Sequence, residues 1–389
     1  MADPRSLRGY LVFPRPKDAV KWWILPIGFA IGALVRGGVT GPDVSRALVA
    51  WLVLELLIYQ ARYQWNDIRG FPADQRHPDA IERGRLPGPP EKRRAHVAAS
   101  RAVMAGRLLV SAGIGLLLPG LDLGGTILAL ILAVFGVAAL YEALRSAGTG
   151  STGRVPPPVN PGILGLWLVS GAGYAIRGLA GLGLAVSLTD PPALLAAATI
   201  ALWSFGVAFV TSRWALEALS FAGIDRGRLA WRASREQSRE HSLALVRWLP
   251  GAEHLDSDVA DWRALRGRTP ALAPWNLALP IAAASAGAAG ALLAGSGDAG
   301  AIAGAVAGGA VSVIVLSLEE HRLAAWLAAG VVLTVVLAAS GTGRPALAAL
   351  PWLAIVGAHL FFTAQSLSTL GHPLRHAFRP ARPVRGLGA

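Results

Sequence analysis

Side chains that could bind a phosphate through a metal ion follow directly on a long apolar run. The run covers Ala47–Tyr59, and Asn66, Asp67 and Asp74 come soon after it with arginines between them. Mg²⁺ takes hard oxygen ligands and usually keeps substrate phosphates in its shell, while arginine binds phosphate oxygens in pairs. The stretch Tyr63–His77 therefore suits a metal-bridged phosphate. A solvated loop of mixed charge at a membrane surface is the alternative, and this stretch alone leaves both open.

Composition assigns the chain to the membrane proteins. Hydrophobic residues make up 53% of the sequence, and the mean hydropathy is +0.49. A spanning helix needs roughly 20 predominantly apolar residues, and runs near this length recur from end to end. We therefore predict one all-α domain over residues 1–389, a polytopic bundle of about nine or ten transmembrane helices. The predicted spans are Trp22–Leu34, Ala47–Ala61, Ala102–Leu118, Gly124–Leu140, Gly162–Leu184, Leu194–Val210, Leu277–Leu293, Ala301–Leu316, Ala324–Ala339 and Ala346–Phe362.

The distribution of positive charge predicts the orientation of the chain. The net charge is +13, but the basic residues lie in alternate loops, which is an orientation signal rather than a nucleic-acid footprint. Both termini and the large loops are therefore predicted to be cytoplasmic. The absence of cysteine excludes disulfide and thiol chemistry. High Ala, Arg and Gly usage favours a bacterial source, and hence the bacterial cytoplasmic membrane.

Two charged residues lie inside predicted spans. Glu55 is in the second span, where Tyr59, Arg62 and Asn66 follow it at steps of four, three and four and so share its helical face. Arg177 is well inside the fifth. Intramembrane charges are costly and usually face a partner or a cavity. Arg177 therefore either binds an anionic substrate group or pairs with Glu55, and the two do not exclude one another.

Two segments are predicted to form the main cytoplasmic loops. In the first, residues 62–101, Gly70 and Pro72 disfavour continuation of the second helix to Asp74, and the later basic residues are predicted to face cytosol and head groups. In the second, residues 213–270, the pattern over Arg228–Leu249 predicts an amphipathic helix on the membrane surface. His241 is interpreted as a surface residue.

Several of these segments resemble motifs of the UbiA superfamily of intramembrane prenyltransferases. Asn66-Asp67-x-x-Gly70-x-x-x-Asp74 is similar to that family's first aspartate-rich signature, NDxxDxxxD, in both pattern and position. Four further segments agree in order, with the last two closest to the decaprenyl-phosphate phosphoribosyltransferase branch. They are Arg15-Pro16 with Lys21, Tyr141–Arg145, Arg177–Gly181 and Ser212–Glu217.

The resemblance implies Mg²⁺ as the cofactor, an isoprenoid diphosphate or polyprenyl phosphate and a small acceptor as the substrates, and the membrane lipid as the surroundings. The metal ligands it implies are Asn66, Asp67 and Asp74, and the catalytic residues are these three with Tyr141 and Glu217. The substrate-binding residues it implies are Arg15, Lys21, Glu55, Tyr59, Arg62, Arg69, Arg145, Tyr174, Arg177 and Arg213. Aromatic rings such as Tyr59 and Tyr174 would shield a carbocation.

The chain departs from the family pattern in ways that keep other functions open. Gly70 stands where the family has its middle aspartate, and the usual second DxxxD motif is absent. Besides a prenyltransferase, the pattern allows a polyprenyl-phosphate phosphoribosyltransferase-like enzyme or a terpene cyclase of the same superfamily. A third class is a non-catalytic lipid carrier or transporter with this fold. Against that class, a scaffold has no need of intramembrane charge.

Overall fold

The chain folds into an all-α bundle with the composition of a membrane protein. A computed structural model describes residues 6–13, 20–75, 84–148, 156–218, 221–225, 228–231, 240–248, 270–318 and 321–363. The first half contains α1 (Leu7–Val12), α2 (Ile24–Arg36), α3 (Gly41–Leu52), a π-helical segment (Val53–Ile58), α4 (Tyr59–Gln75), α5 (Arg93–Leu117), α6 (Gly124–Gly148), α7 (Pro161–Ser170) and α8 (Ala172–Gly183). The second half contains α9 (Pro192–Ala218), β1 (Ala222–Asp225), β2 (Arg228–Trp231), α10 (Glu240–Leu243), α11 (Pro274–Leu293), α12 (Asp298–Ser317), α13 (Arg322–Ala339), α14 (Pro345–Ala348) and α15 (Leu350–Thr363).

Across the described ranges, 9 helices are long and apolar enough to cross a membrane. A shorter apolar helix, α2, has 13 residues, or roughly 20 Å at the rise of an α-helix. These helices confirm the predicted polytopic all-α bundle, and the protein is an integral membrane protein. The second span is much longer than predicted, because α3, the π segment and α4 run together from Gly41 to Pro72.

The second span does not end before the aspartates, contrary to the expectation from Gly70 and Pro72. The helix continues to Gln75 with Pro72 inside it. Tertiary contacts at and beyond these two residues favour the helix, since Phe71 and Asp74 are buried and the Gln75 side-chain nitrogen donates to the Leu86 carbonyl oxygen at 2.9 Å; such packing overrides local propensity. Asp67 and Asp74, seven residues apart, consequently share one face of the helix.

A π-helical segment places Glu55 in the middle of this long helix. Wider turns of this kind occur mostly as single insertions in α-helices, often at functional sites. The Gln60 side-chain nitrogen donates to the Glu55 carbonyl oxygen at 3.1 Å, which supplies a partner to a buried backbone acceptor where the helical pattern is disturbed. The carboxylate of Glu55 points instead toward α8.

The helices around α8 approach one another through glycine. At Gly181 an added Cβ would stand 2.1 Å from the Leu25 carbonyl oxygen, and at Gly206 it would stand 2.7 Å from the Gly171 carbonyl oxygen. Small residues at such crossings let helix backbones come close, which is how helices associate within a bilayer. The α2–α8 and α8–α9 contacts therefore depend on residues without side chains.

We expect Gly181→Ala to destabilise the bundle by about 1–3 kcal/mol, because backbone atoms must move to admit the methyl group. Gly136→Ala is the matched control, since Gly136 is helical and nothing lies within 4 Å of its added Cβ. Thermal unfolding of both variants in detergent measures the difference. Equal midpoints for the two variants would show that the crossing is not tight.

The segment predicted as an amphipathic surface helix forms other structures, so that prediction is wrong. Residues 228–231 are strand β2, paired antiparallel with β1, and helical structure appears in α10 and in the 3-10 turn Ala244–Trp248. The interpretation of His241 as a surface residue is also wrong, because it is buried. Of the apolar residues that suggested a membrane-facing side, Leu245 is buried and Trp248 packs against the same core, and Trp167 Nε1 donates to the His241 carbonyl oxygen at 2.8 Å.

Candidate functional site

A network of polar side chains, here called the motif network, surrounds Asp67 near the end of α4. Its members are Tyr10, Asn66, Asp67, Arg69, Arg85, Glu142 and Arg145. Asp67 is fully buried. Its Oδ1 accepts a hydrogen bond from Arg85 Nη1 at 2.7 Å, and its Oδ2 accepts one from the Tyr10 hydroxyl at 3.1 Å. Such hydrogen bonds replace those that a carboxylate loses when it is buried away from water.

A second buried carboxylate, Glu142, joins the ends of α4 and α6. Its Oε2 accepts from Arg69 Nε at 3.2 Å and from Arg145 Nη2 at 2.5 Å. With the Asn66 amide oriented to satisfy its neighbours, its nitrogen donates to Glu142 Oε1 at 3.0 Å and its oxygen accepts from Arg85 Nη1 at 3.1 Å. One carboxylate thus fixes the positions of two guanidinium groups and an amide.

Asp74 lies on the same face of α4 as Asp67 and is also buried. The nearest position on that face, residue 70, is glycine, and a Cβ there would lie 3.0 Å from Asp74 Oδ2. An aspartate at residue 70 would place a second carboxylate beside Asp74, where like charges repel. Glycine therefore leaves room for the Asp74 side chain to fold over this part of the helix.

Glu55 and Arg177 form a buried ion pair. Arg177 Nε donates to Glu55 Oε1 at 2.6 Å and Nη2 donates to Oε2 at 3.0 Å, while the two side chains are 1% and 2% exposed. The Gly173 carbonyl oxygen accepts from Arg177 Nη1 at 3.1 Å and from the Tyr59 hydroxyl at 3.0 Å. The guanidinium also lies over the Tyr59 ring, 3.4 Å from its centroid.

This geometry confirms the predicted pairing of Arg177 with Glu55. Glu55 satisfies the guanidinium in a bidentate arrangement, the strongest geometry for this pair. A role of Arg177 toward a substrate anion stays a prediction. The Tyr59 ring face that Arg177 covers is not available to shield a carbocation.

An apolar cavity of about 450 Å³ lies between α2, α8, α9, α13 and α15. Aromatic and aliphatic side chains such as Phe205, Phe209 and Leu353 line it together with Lys21 and Tyr174. Tyr174 is buried, and within the described part of the chain its hydroxyl has no hydrogen-bond partner. A buried hydroxyl without a partner is costly.

Two basic side chains, Lys21 and Arg213, lie at this cavity, although its wall is otherwise apolar. Lys21 lines the cavity together with Tyr174. The Arg213 guanidinium also lies 5.2 Å from the Phe209 ring centroid and 5.7 Å from that of Phe362, and both rings line the cavity. The polar end of the cavity is therefore positively charged.

Tyr63 connects the cavity with the motif network. Lys21 Nζ lies 5.9 Å from the Tyr63 ring centroid, and the Arg62 guanidinium lies 5.3 Å from it on the same helix. Tyr63 precedes Asp67 by four residues, one helical turn. Asn66, Asp67 and Asp74 do not themselves line the cavity, so the two regions are neighbours rather than one hollow.

The remaining candidates lie around these two regions. Tyr141, on α6 next to Glu142, has its hydroxyl 3.4 Å from His241 Nε2 and packs with Trp214. Glu217 is half-buried one turn beyond Arg213. Arg15 lies outside the described residues.

No family model matches this chain. Likewise, no curated protein and no solved structure gives a significant match.

Sequence reasoning assigned no site role to Arg85, Glu142, Tyr10 or Tyr63. Most basic residues of the first loop were predicted to face cytosol and head groups, but the Arg85 side chain is only 16% exposed and is paired with Asp67. Glu142 and Tyr63 carried a usable signal, since Glu142 follows Tyr141 directly and Tyr63 begins the stretch Tyr63–His77. The role of Tyr10 depends on helices brought together by folding.

The donor set fits a Mg²⁺ ion that shares its shell with a phosphate, and not a cage formed by the protein. Among the described side chains, no group of three or more His, Cys, Asp or Glu could hold a metal ion. Asp67 and Asp74 are separated by roughly 10 Å along the helix axis. Magnesium sites at substrate phosphates commonly use one or two carboxylates and several waters, which Asp67 with the Asn66 oxygen, or Asp74, can supply.

Proposed function

We propose that this protein is an intramembrane transferase that acts on an isoprenoid diphosphate and passes the isoprenoid group to a small acceptor. The carrying observation is the apolar cavity with Lys21 and Arg213 at its polar end, where the Tyr174 hydroxyl has no hydrogen-bond partner among the described residues. Ligand sites are typically apolar cavities with a few placed polar groups. An isoprenoid chain suits the walls, and a phosphate oxygen would give the Tyr174 hydroxyl an acceptor.

The charges of the site support a diphosphate as the polar group. Lys21 and Arg213 lie at the cavity. Arg69 and Arg145 belong to the motif network, where both pair with Glu142. Fixed cations stabilise a leaving group as negative charge develops on it. Bound Mg²⁺, held by Asn66 with Asp67, or by Asp74, would add charge neutralisation of the diphosphate.

In the proposed reaction the bond between the isoprenoid carbon and the diphosphate oxygen breaks, and the oxygen keeps the electron pair. The carbon forms a bond to the acceptor, which loses a proton. The residues of this chain bind the diphosphate, exclude water and place the allylic carbon among aromatic rings, where Phe205 and Phe209 can stabilise positive charge. The location proposed is the bacterial cytoplasmic membrane with both termini in the cytoplasm.

Release of diphosphate tests this function. The full chain, purified in detergent, is incubated with a labelled prenyl diphosphate and Mg²⁺, with and without candidate small acceptors. Acceptor-dependent release supports a transferase, and release without acceptor points to a cyclase. Consumption of phosphoribosyl diphosphate with polyprenyl phosphate would point to the phosphoribosyltransferase-like reaction instead.

A lipid carrier is the second candidate. The observation that favours it is that both oxygens of Asp67 already have hydrogen-bond donors within the protein, Arg85 for one and Tyr10 for the other. Such a protein would bind the labelled lipid without turning it over. Stoichiometric binding with no diphosphate release under any of the conditions above would establish the carrier and reject the enzyme.

The cavity itself can be tested by filling it. Ala354 lines the cavity, and we expect Ala354→Phe to raise the KM for prenyl diphosphate about tenfold or more, since a bulky ring displaces part of the chain. Ala338→Phe is the matched control, because Ala338 is exposed on α13. Steady-state kinetics and mass spectrometry of the bound lipid provide the measurement. An unchanged KM and lipid content for Ala354→Phe would place the isoprenoid elsewhere.

A further inference from the structure

The two oxygens of the Asn66-Asp67 pair converge on one nitrogen of Arg85. Arg85 Nη1 donates to Asp67 Oδ1 at 2.7 Å and to the Asn66 side-chain oxygen at 3.1 Å. Asp67 is fully buried, and Glu142 fixes the other end of the Asn66 amide. Both oxygens therefore point to one position, and the positively charged Arg85 guanidinium occupies it.

This position is the one that a divalent cation bound by Asn66 and Asp67 would take. A guanidinium nitrogen and a metal ion cannot occupy it together, because both need the same lone pairs and repel each other. The side chain of Arg85 is 16% exposed, and its backbone belongs to a stretch without helical hydrogen bonds between residue 84 and the 3-10 turn Pro90–Lys92. The guanidinium can therefore leave Asp67 without unwinding a helix.

We propose that Arg85 is an exchangeable cation of this site. In the metal-free protein it neutralises Asp67, and a divalent ion that binds Asn66 and Asp67 displaces it. The released guanidinium is then available to bind phosphate oxygens of the substrate. This inference rests on the proposed lipid-diphosphate function and adds to it an ordered change of partners at Asp67.

Binding of Mn²⁺ to the full chain in detergent, without any lipid substrate, tests the exchange. Free Mn²⁺ is followed by electron paramagnetic resonance for the unmodified protein, Arg85→Gln and Arg94→Gln. Arg94 is the control, as an exposed arginine of the following helix. Removing the competing charge should tighten Mn²⁺ binding about tenfold in Arg85→Gln, the scale of a charged hydrogen bond, and leave Arg94→Gln unchanged. Unchanged or weaker binding in Arg85→Gln, or no saturable binding in any of the three proteins, overturns the proposal.

A second measurement uses the unmodified protein and decides the question if Arg85→Gln does not fold. Phenylglyoxal modifies accessible arginines, and peptide mass spectrometry reports the modified fraction of each residue. Addition of Mg²⁺ should raise modification of Arg85 at least about threefold, as expected for a side chain that moves from a minor to a dominant exposed state, with Arg94 constant. Equal modification of Arg85 with and without Mg²⁺ overturns the exchange. Neither readout uses prenyl diphosphate, so a negative release assay with a positive exchange rejects the proposed reaction separately.

Discussion

Replacement of Asp67 or of Asp74 by alanine is expected to lower the rate of diphosphate release about 10²–10³-fold. Each change removes a buried carboxylate, and with it a proposed ligand for the cation that neutralises the diphosphate. Loss of one such stabilising group commonly has an effect of this size on the rate. The assay is release of labelled diphosphate by the purified protein at saturating Mg²⁺.

Asp122→Asn is the control for these two variants. Asp122 is highly exposed, and its φ of 48° lies in the left-handed region, which asparagine tolerates. Thermal unfolding in detergent shows whether each protein remains folded. Full activity of both folded alanine variants would remove Asp67 and Asp74 from the reaction and, with them, the proposed magnesium role.

Breaking the Glu55–Arg177 pair is expected to give the largest loss of stability in the bundle. Either Glu55→Gln or Arg177→Gln leaves the opposite charge buried without its partner, which typically costs about 3–5 kcal/mol. The double variant should recover most of this loss, because two neutral amides can hydrogen-bond and no charge is stranded. The apparent unfolding temperatures of the four proteins in one detergent form a double-mutant cycle.

Additivity of the two single changes would contradict this prediction, since it would mean that the charges act independently. The same variants also separate structure from chemistry. If the pair serves only to join α8 to the long helix that begins at Gly41, the folded double variant keeps its diphosphate release. A folded double variant without turnover would mean that the charges act on the substrate as well.

The overall class of this protein could be predicted from local properties of the sequence. The length of an apolar run and the absence of charge within it determine whether a segment can span a bilayer, and neither depends on a partner. The number of spans was predicted for the same reason. The boundary at Gly70 and Pro72 was not, because the local preference for ending the helix is opposed by the burial of Phe71 and Asp74 and by the hydrogen bond from Gln75 to the Leu86 carbonyl oxygen.

The sequence also limited the possible anionic partners of Arg177 to Glu55 and a substrate group, but it did not choose between these two. A buried arginine in lipid needs an anion, which made Glu55 one of two candidates for Arg177. The choice required the packing of α8 against the π segment, 122 residues away in the chain. The prediction for residues 228–249 failed for a related reason, since Leu245 and Trp248 were expected at a membrane surface and instead pack within the protein.

By itself the sequence determined that this chain folds in a membrane, and it identified the few positions where polar groups lie inside an apolar bundle. Only the tertiary structure decided which cation sits on each carboxylate: Arg85 on Asp67, Arg177 on Glu55, and Arg69 with Arg145 on Glu142. The physical reason is that hydropathy and helix length are summed along the chain. The energy of a buried charge depends on the geometry of groups from other helices. The chain contains several arginines, and composition does not show which of them pairs with which carboxylate.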